Sequence, residues 1–301
     1  MGEGESSSGD DEDSDSDSDP GPGLVRSYGE VVDSRSILLE GRVRVGPYHA
    51  ASPTASTQMR EATRFTVVSD IKLDSSELRV VAARDFLGCS SKQPFVVNVS
   101  PDYRYMKMGY YVSLHAELMG SHVIPTCADV LDVYRTPISL LRSSKAGIPV
   151  APYLVTDSAE EVISGFELPV MIFAVNPFPT YGFQVAYSKS GLYGVMKRLT
   201  MNKRYTICAI PIIGELVSLK TIFGVPINML TKNVCDGEVR RVSEMIFKLF
   251  RVPMFKSYVQ RKGDQLYLCG LDPVKKNGRL SPTEASLIAE GISKVGETIG
   301  Q

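Results

Sequence analysis

The sequence predicts an α+β fold, a mixed sheet with helices, behind a disordered acidic N-terminal tail. Three observations carry this. Short apolar or alternating runs such as Phe65–Ser69, Pro94–Val99 and Val170–Val175 have the length and composition of strands. The stretches 236–250 and 281–299 repeat apolar residues at helical spacing. The charge of the start is one-sided: residues 1–19 hold nine carboxylates and no Lys or Arg. The formal net charge of −1 hides this, because 25 acidic and 33 basic residues remain after residue 19, a net of +8.

Residues 1–23 have Met1 as their only strongly apolar side chain and cannot offset the entropy of ordering. Gly46–Gln58 is a second loose stretch, and Ser36–Val45 reads as a short strand or hairpin. From about Arg64 the chain reads as folded. Strands are expected at Phe65–Ser69, Leu78–Ala82 and Pro94–Val99, with one helical turn at Ala83–Leu87 stopped by Gly88. Gly109–Met119 is a helix with Tyr111, Leu114 and Leu118 on its inner face, and Gly120 stands at C′. His122–Ile124 is a strand. Thr136 and Pro137 start a helix that Gly147 ends. Ile148–Val155 is extended around Pro149 and Pro152. Ser158-Ala-Glu-Glu161 is a capping box. Val170–Val175, Phe183–Tyr187, Arg204–Ile210 and Leu216–Phe223 are strands, with a helix near Leu192–Leu199. Asp236 caps a helix to Phe250 with Val239, Val242, Ile246 and Leu249 on one face. Met254–Gln260 and Gln265–Leu271 form a hairpin turning at Gly263. Ser281-Pro-Thr-Glu284 opens a last helix with Leu287, Ile288, Ile292, Val295 and Ile299 inward.

Several function classes drop out. No apolar run reaches membrane-spanning length, and the acidic start is no signal peptide. Five scattered cysteines without a CxxC pair read as reduced, and the chain as cytoplasmic. Phosphate-loop, HExxH and GxSxG patterns are absent, and three His with five Cys give no metal-ligand spacing.

Two features stand out. Asp102-Tyr-Arg-Tyr105 lies between a strand and a helix, where open sheets bind ligands. Arg104 could clamp a carboxylate or phosphate between tyrosines, or could simply pair with Asp102. The second is Leu168–Gly214, which has no Asp or Glu but carries Lys189, Lys197, Arg198, Lys203 and Arg204 among Tyr181, Tyr187, Tyr193 and Tyr205. It is either a polyanion surface or a solvated basic face that meets an acidic partner.

The segment Phe95-Val-Val-Asn-Val-Ser-Pro-Asp-Tyr-Arg-Tyr, the Gly109-Tyr-Tyr-Val-Ser-Leu-His-Ala-Glu117 helix and the strand ending at Pro125 resemble the RimK-like ATP-grasp N-terminal domain family. Weaker similarity runs through Thr221-Ile-Phe-Gly224, Phe250-Arg-Val-Pro253 and Asp272-Pro273. The resemblance implies residues 1–60 as a tail and 61–301 as a domain of that type, with an enlarged middle at 134–215. It marks Asn98, Tyr103, Arg104, Tyr105, Gly109 and Tyr110 as candidate ligand-binding residues, with Tyr111, Ser113 and Glu117 beside them. The basic residues named above are a candidate partner face. It assigns no catalytic or metal residue.

The middle is itself similar to the early part of an ATP-grasp fold. Phe173 occupies the expected position of a nucleotide-binding Lys, and Leu271-Asp-Pro273 stands closest to a missing metal-binding Glu-x-Asn. The resemblance therefore implies a non-catalytic recognition or accessory domain for a RimK-type ligase supplied in trans, with a peptide or amino acid as substrate. No cofactor is expected on that reading, and neither nucleic acid nor membrane is an expected partner. The alternatives are a divergent or degenerate ATP-grasp-like ligase, which would use ATP and Mg²⁺, or a polyanion/RNA-binding module.

Overall fold

Valine-rich runs build the first sheet. The structure, a computed structural model, describes residues 65–71, 73, 79–175, 182–274 and 280–300. The tail, the 36–45 hairpin, Leu78 and Tyr181 lie outside the described residues. Strands β1 (Thr66–Val68) and β2 (Val80–Val81), helix α1 (Ala83–Leu87), β3 (Phe95–Asn98), α2 (Met108–Leu118) and β4 (His122–Ile124) form a parallel sheet in the order β2-β1-β3-β4. Val67, Val68, Val96 and Val97 are buried, as parallel strands covered on both faces require.

Helix α2 turns a different face inward from the one its larger residues suggest. Tyr111 is 42% and Leu118 76% exposed, whereas Gly109, Val112, Ser113 and Ala116 are buried. Small side chains let the helix lie close to the sheet. A Cβ on Gly109 would stand 2.6 Å from the Asp102 carbonyl oxygen. Gly120 follows the helix at φ 71°.

Helix α3 (Cys127–Val133), unexpected from the sequence, is capped by Thr126, whose hydroxyl accepts from Asp129 N at 3.1 Å. In α4 (Thr136–Lys145) the N-cap is Arg135, one residue earlier than expected, and Gly147 follows at φ 79°. The expected extended stretch after it joins the sheets. Ala151 N donates to Leu268 O and Leu268 N to Pro149 O, both at 2.9 Å.

Within the expected middle, residues 154–211 form a sheet of their own. It comprises β5 (Leu154–Thr156), α5 (Ala159–Gly165), β6 (Val170–Ala174), β7 (Phe183–Ala186), α6 (Lys189–Leu199) and β8 (Ile207–Pro211), antiparallel in the order β5-β8-β6-β7. Residues of α5 and α6 such as Val162, Leu192 and Met196 seal one of its faces.

The third sheet contains β9 (Glu215–Ile222), β10 (Val225–Asn228), β11 (Met254–Lys262) and β12 (Gln265–Asp272) in the antiparallel order β10-β9-β11-β12. Strand β10 was not expected. It follows a tight turn at Phe223 and Gly224, at φ 45° and 85°. Helix α7 (Glu238–Phe250) is capped by Gly237, and Asp236 instead reaches Arg240 at 3.5 Å. Helix α8 (Pro282–Gly300) carries the expected reciprocal box. Ser281 N donates to Glu284 Oε2 at 3.0 Å, and Glu284 N to Ser281 Oγ at 3.3 Å. Its Ile288 and Ile292 pack with Val67 and Val97 of the first sheet and Ile222 and Met254 of the third.

The inner faces of the second and third sheets share one core: Met171, Phe173, Cys208 and Ile210 with Leu219, Tyr258, Val259 and Cys269. Gln260 ties them where β8 passes into β9. Its buried amide accepts from Ile213 N at 2.6 Å and Gly214 N at 3.2 Å, and donates to Pro211 O at 3.0 Å. Among the described residues no helix is long and apolar enough to cross a membrane.

Candidate functional site

The β3–α2 junction is built by residues that hold one another. Asn98 Nδ2 donates to Gly109 O at 2.7 Å and Ser113 Oγ at 2.9 Å, and Ser113 Oγ donates to Pro125 O at 2.8 Å. The buried Tyr103 hydroxyl donates to Asn98 O and accepts from Ser100 N, both at 2.7 Å. Burial holds its phenol far above the usual value. Asn98, Tyr103 and Gly109 therefore shape the loop from within.

Arg104 makes a two-pronged pair with Asp102, Nε to Oδ1 at 3.0 Å and Nη2 to Oδ2 at 2.6 Å, with both side chains mostly covered. Tyr105 is 51% exposed and meets Tyr110 edge-on, and Tyr110 meets Tyr111 the same way. Burial, and then the neighbouring Cys127, raise the Tyr110 phenol.

A cavity of about 210 Å³ opens beside this junction. It sits at the carboxyl ends of β1 and β3 and the start of α2, lined among others by Ser69, Asp70, Asn98, Ser100, Lys107 and Val112. That is the edge at which open parallel sheets take ligands.

A second polar cluster lies where β12 ends. Asp272 Oδ2 accepts from the Tyr258 hydroxyl at 3.1 Å, and Gly182 N also donates to this carboxylate. Burial pushes the Asp272 carboxyl up to about 6, against the pull of Tyr258, Lys256 and Arg104. Lys256 Nζ stands 4.5 Å from the centre of the Tyr258 ring. Among the described residues the buried Tyr134 hydroxyl has no hydrogen-bond partner, and burial together with Tyr103, Asp102 and Asp272 raises its phenol. The β3–α2 loop and the β12 corner thus share one electrostatic neighbourhood.

Phe173, Phe183 and Tyr258 form an aromatic triad beside Asp272, with ring centres 4.8–6.0 Å apart. Gly270 makes room for it, since a Cβ there would stand 2.9 Å from the Phe173 ring. Sequence reasoning singles out Phe173 and the Leu271-Asp-Pro273 corner but misses Tyr258, Phe183, Lys256 and Tyr134. The available signal is an alternation on β11, where Lys256, Tyr258 and Gln260 share a face.

Lys189, Lys197 and Arg198 lie on α6, and Lys203 and Arg204 on the turn after it. Lys189, Lys197, Arg198, Lys203 and Arg204 are all exposed, and Met201, Asn202 and Lys203 are left-handed. Arg198 bonds Gln184. Nearby Tyr193 donates to Glu160 Oε1 at 3.3 Å, so α5 brings a carboxylate to the edge of this face.

Residues 84–168 match the model of the RimK-like ATPgrasp N-terminal domain. No curated protein matches the sequence. Among solved structures, a RimK domain ATP-grasp protein from Sphaerobacter thermophilus superposes with a TM-score of 0.56 at 13% identity, covering 76% of this chain and 99% of that one. D-alanine–D-alanine ligase from Bacillus anthracis gives 0.53 at 14%, covering 79% and 99%. The ATP-grasp ligase PsnB, complexed with precursor peptide PsnA2 and AMPPNP, gives 0.51 at 14%, again covering 79% and 99%. The chain has the fold of these proteins, with all three sheets in one polypeptide.

This corrects the expectation of an accessory domain awaiting a ligase in trans. Residues 154–211 and the third sheet are part of the fold this chain shares with these proteins.

The fold family implies ATP and Mg²⁺, and among the described residues no set fits that pair in the family's manner. The Phe173 ring packs against Gly270 and Tyr258. Among the described residues no group of three or more His, Cys, Asp or Glu could hold a metal. Asp272 supplies one partly covered carboxylate, and hydrogen-bond donors already engage it.

Proposed function

We propose that this chain is a divergent ligase of the ATP-grasp architecture, acting on an amino acid or a peptide. One observation carries the reading: a single chain spans 99% of the length of an ATP-grasp protein of this type, first sheet to last. The cavity beside α2 is the candidate substrate pocket. The β12 corner, where Asp272 and Lys256 bring a carboxylate and a cation, is the candidate reacting end. A peptide substrate is supported by the complex of PsnB with its precursor peptide. The test is phosphate release and product mass, with Mg-ATP, free amino acids and acceptor peptides supplied to the full chain. Release that depends on the amino acid is the expected result. A folded chain that yields neither phosphate nor coupled product overturns the reading.

A second reading, a degenerate ligase that keeps the substrate pocket but binds no nucleotide, is favoured by the Phe173 triad. On that reading Mg-ATP leaves the melting temperature unchanged, and a saturable upward shift rules it out.

A further inference from the structure

We infer that the outer face of α2 is an interface between two copies of this chain, which pair helix to helix, antiparallel, about a two-fold axis. The inference is independent of the ligase reading, because it concerns the side of α2 turned away from the first sheet.

The sequence makes α2 apolar on both sides. Gly109, Val112, Ser113 and Ala116, all short, bury one side. The larger Tyr111, Leu114 and Leu118 lie on the other, and a helix that is apolar all round is normally covered all round. Here Leu118 is 76% and Tyr111 42% exposed, with Leu114 half-buried. The approach to the helix extends the patch. Tyr105 and Met106 are 51% and 63% exposed, and Tyr105 connects to Tyr111 through edge-on contacts with Tyr110. Met106 is left-handed at φ 64°, a strained backbone for a bulky residue, in a turn that Lys107 N closes on Arg104 O at 2.9 Å. The fold thus holds an apolar side chain outside itself, beside others, as protein contact sites do.

Spacing and charge identify the occupant. Lys107, Tyr111, Leu114 and Leu118 follow at steps of four, three and four, the seam along which two helices interlock. Set antiparallel on itself, this seam brings Tyr111 of one copy onto Leu114 of the other, and Lys107 onto Leu118. The Lys107 stem then covers the leucine, and its ammonium reaches Glu117 of the second copy. Lys107 and Glu117 are both exposed, and neither forms an ion pair among the described residues. Glu117 holds Cys127 N with Oε1 at 2.8 Å, which leaves the carboxylate its charge. A parallel pairing would set lysine on lysine and glutamate on glutamate. The same patch is used on both copies, so assembly closes at two. The seam is only about 16 Å long, which makes the dimer a weak one.

The experiment is sedimentation velocity on the full chain from about 1 to about 500 μM. Single copies should pass into dimers and nothing larger. Leu118→Glu should weaken the dimer about tenfold or more. At about 1 μM, where single copies prevail, that variant should melt as the parent does, since Leu118 is exposed in the single chain. Lys107→Glu and Glu117→Lys should each weaken self-pairing, because like charges then meet at both ends of the seam. An equimolar mixture of those two chains should form a heterodimer of about the parent's affinity, which also shows that both are folded. A chain that stays single throughout the range overturns the inference, and so does assembly beyond two. A dimer untouched by Leu118→Glu, or charge variants that the mixture does not rescue, overturns it as well.

Discussion

Gly270 and Phe173 come from different sheets and meet because one lacks a side chain where the other carries a ring. Gly270→Ala should therefore cost about 1–3 kcal/mol in denaturant unfolding. Adding Phe173→Leu should recover part of that loss, and strictly additive effects would refute the contact. Asp272 gives a second prediction. Its folded value, about 6, lies above the ordinary 3.8, so the native state holds the proton more tightly than the unfolded chain. Native stability should then fall as pH rises from 3.8 to about 6 and level off above, a loss of about 3 kcal/mol. Asp272→Asn should lack this slope, so the melting-temperature difference between the two proteins should change only within that window. The sequence exposes Arg104 and the Asp272 corner as chemistry-bearing positions. It hides their common neighbourhood, because proximity between Tyr134, Arg104 and Asp272 is set by how sheets pack and not by spacing along the chain.

At the level of elements, α2 shows where periodicity misleads. Its large residues repeat at helical spacing, yet Gly109, Val112, Ser113 and Ala116 face the sheet and the tyrosines flank the loop. Leu118→Ala should change stability by no more than about 0.5 kcal/mol, whereas Ala116→Leu should cost about 1–3 kcal/mol. The opposite ranking in a thermal melt would restore the Tyr111–Leu118 face. Capping chemistry that is written locally is legible in the sequence. Ser158 caps α5, and Ser281 with Glu284 caps α8. Ser281→Ala should cost about 1 kcal/mol. Asp236 breaks the pattern because a glycine one residue later, at φ 68°, takes the cap while the carboxylate turns to Arg240.

For the whole molecule, the sequence conveys mixed helices and sheets but not their number or order. The second sheet pairs β5 with β8 and β8 with β6, so strands about fifty and about forty residues apart become neighbours and no local signal announces them. Gln260 is equally invisible in sequence. It reads as an ordinary strand residue near a hairpin, yet it is fully buried and answers three main-chain groups from the stretch joining β8 to β9. Gln260→Ala would strand those groups at a cost of about 2–3 kcal/mol. The junction is a rivet: the second and third sheets should rock as one plate. Deuterium uptake at the Ile213 and Gly214 amides would time any loosening of that rivet.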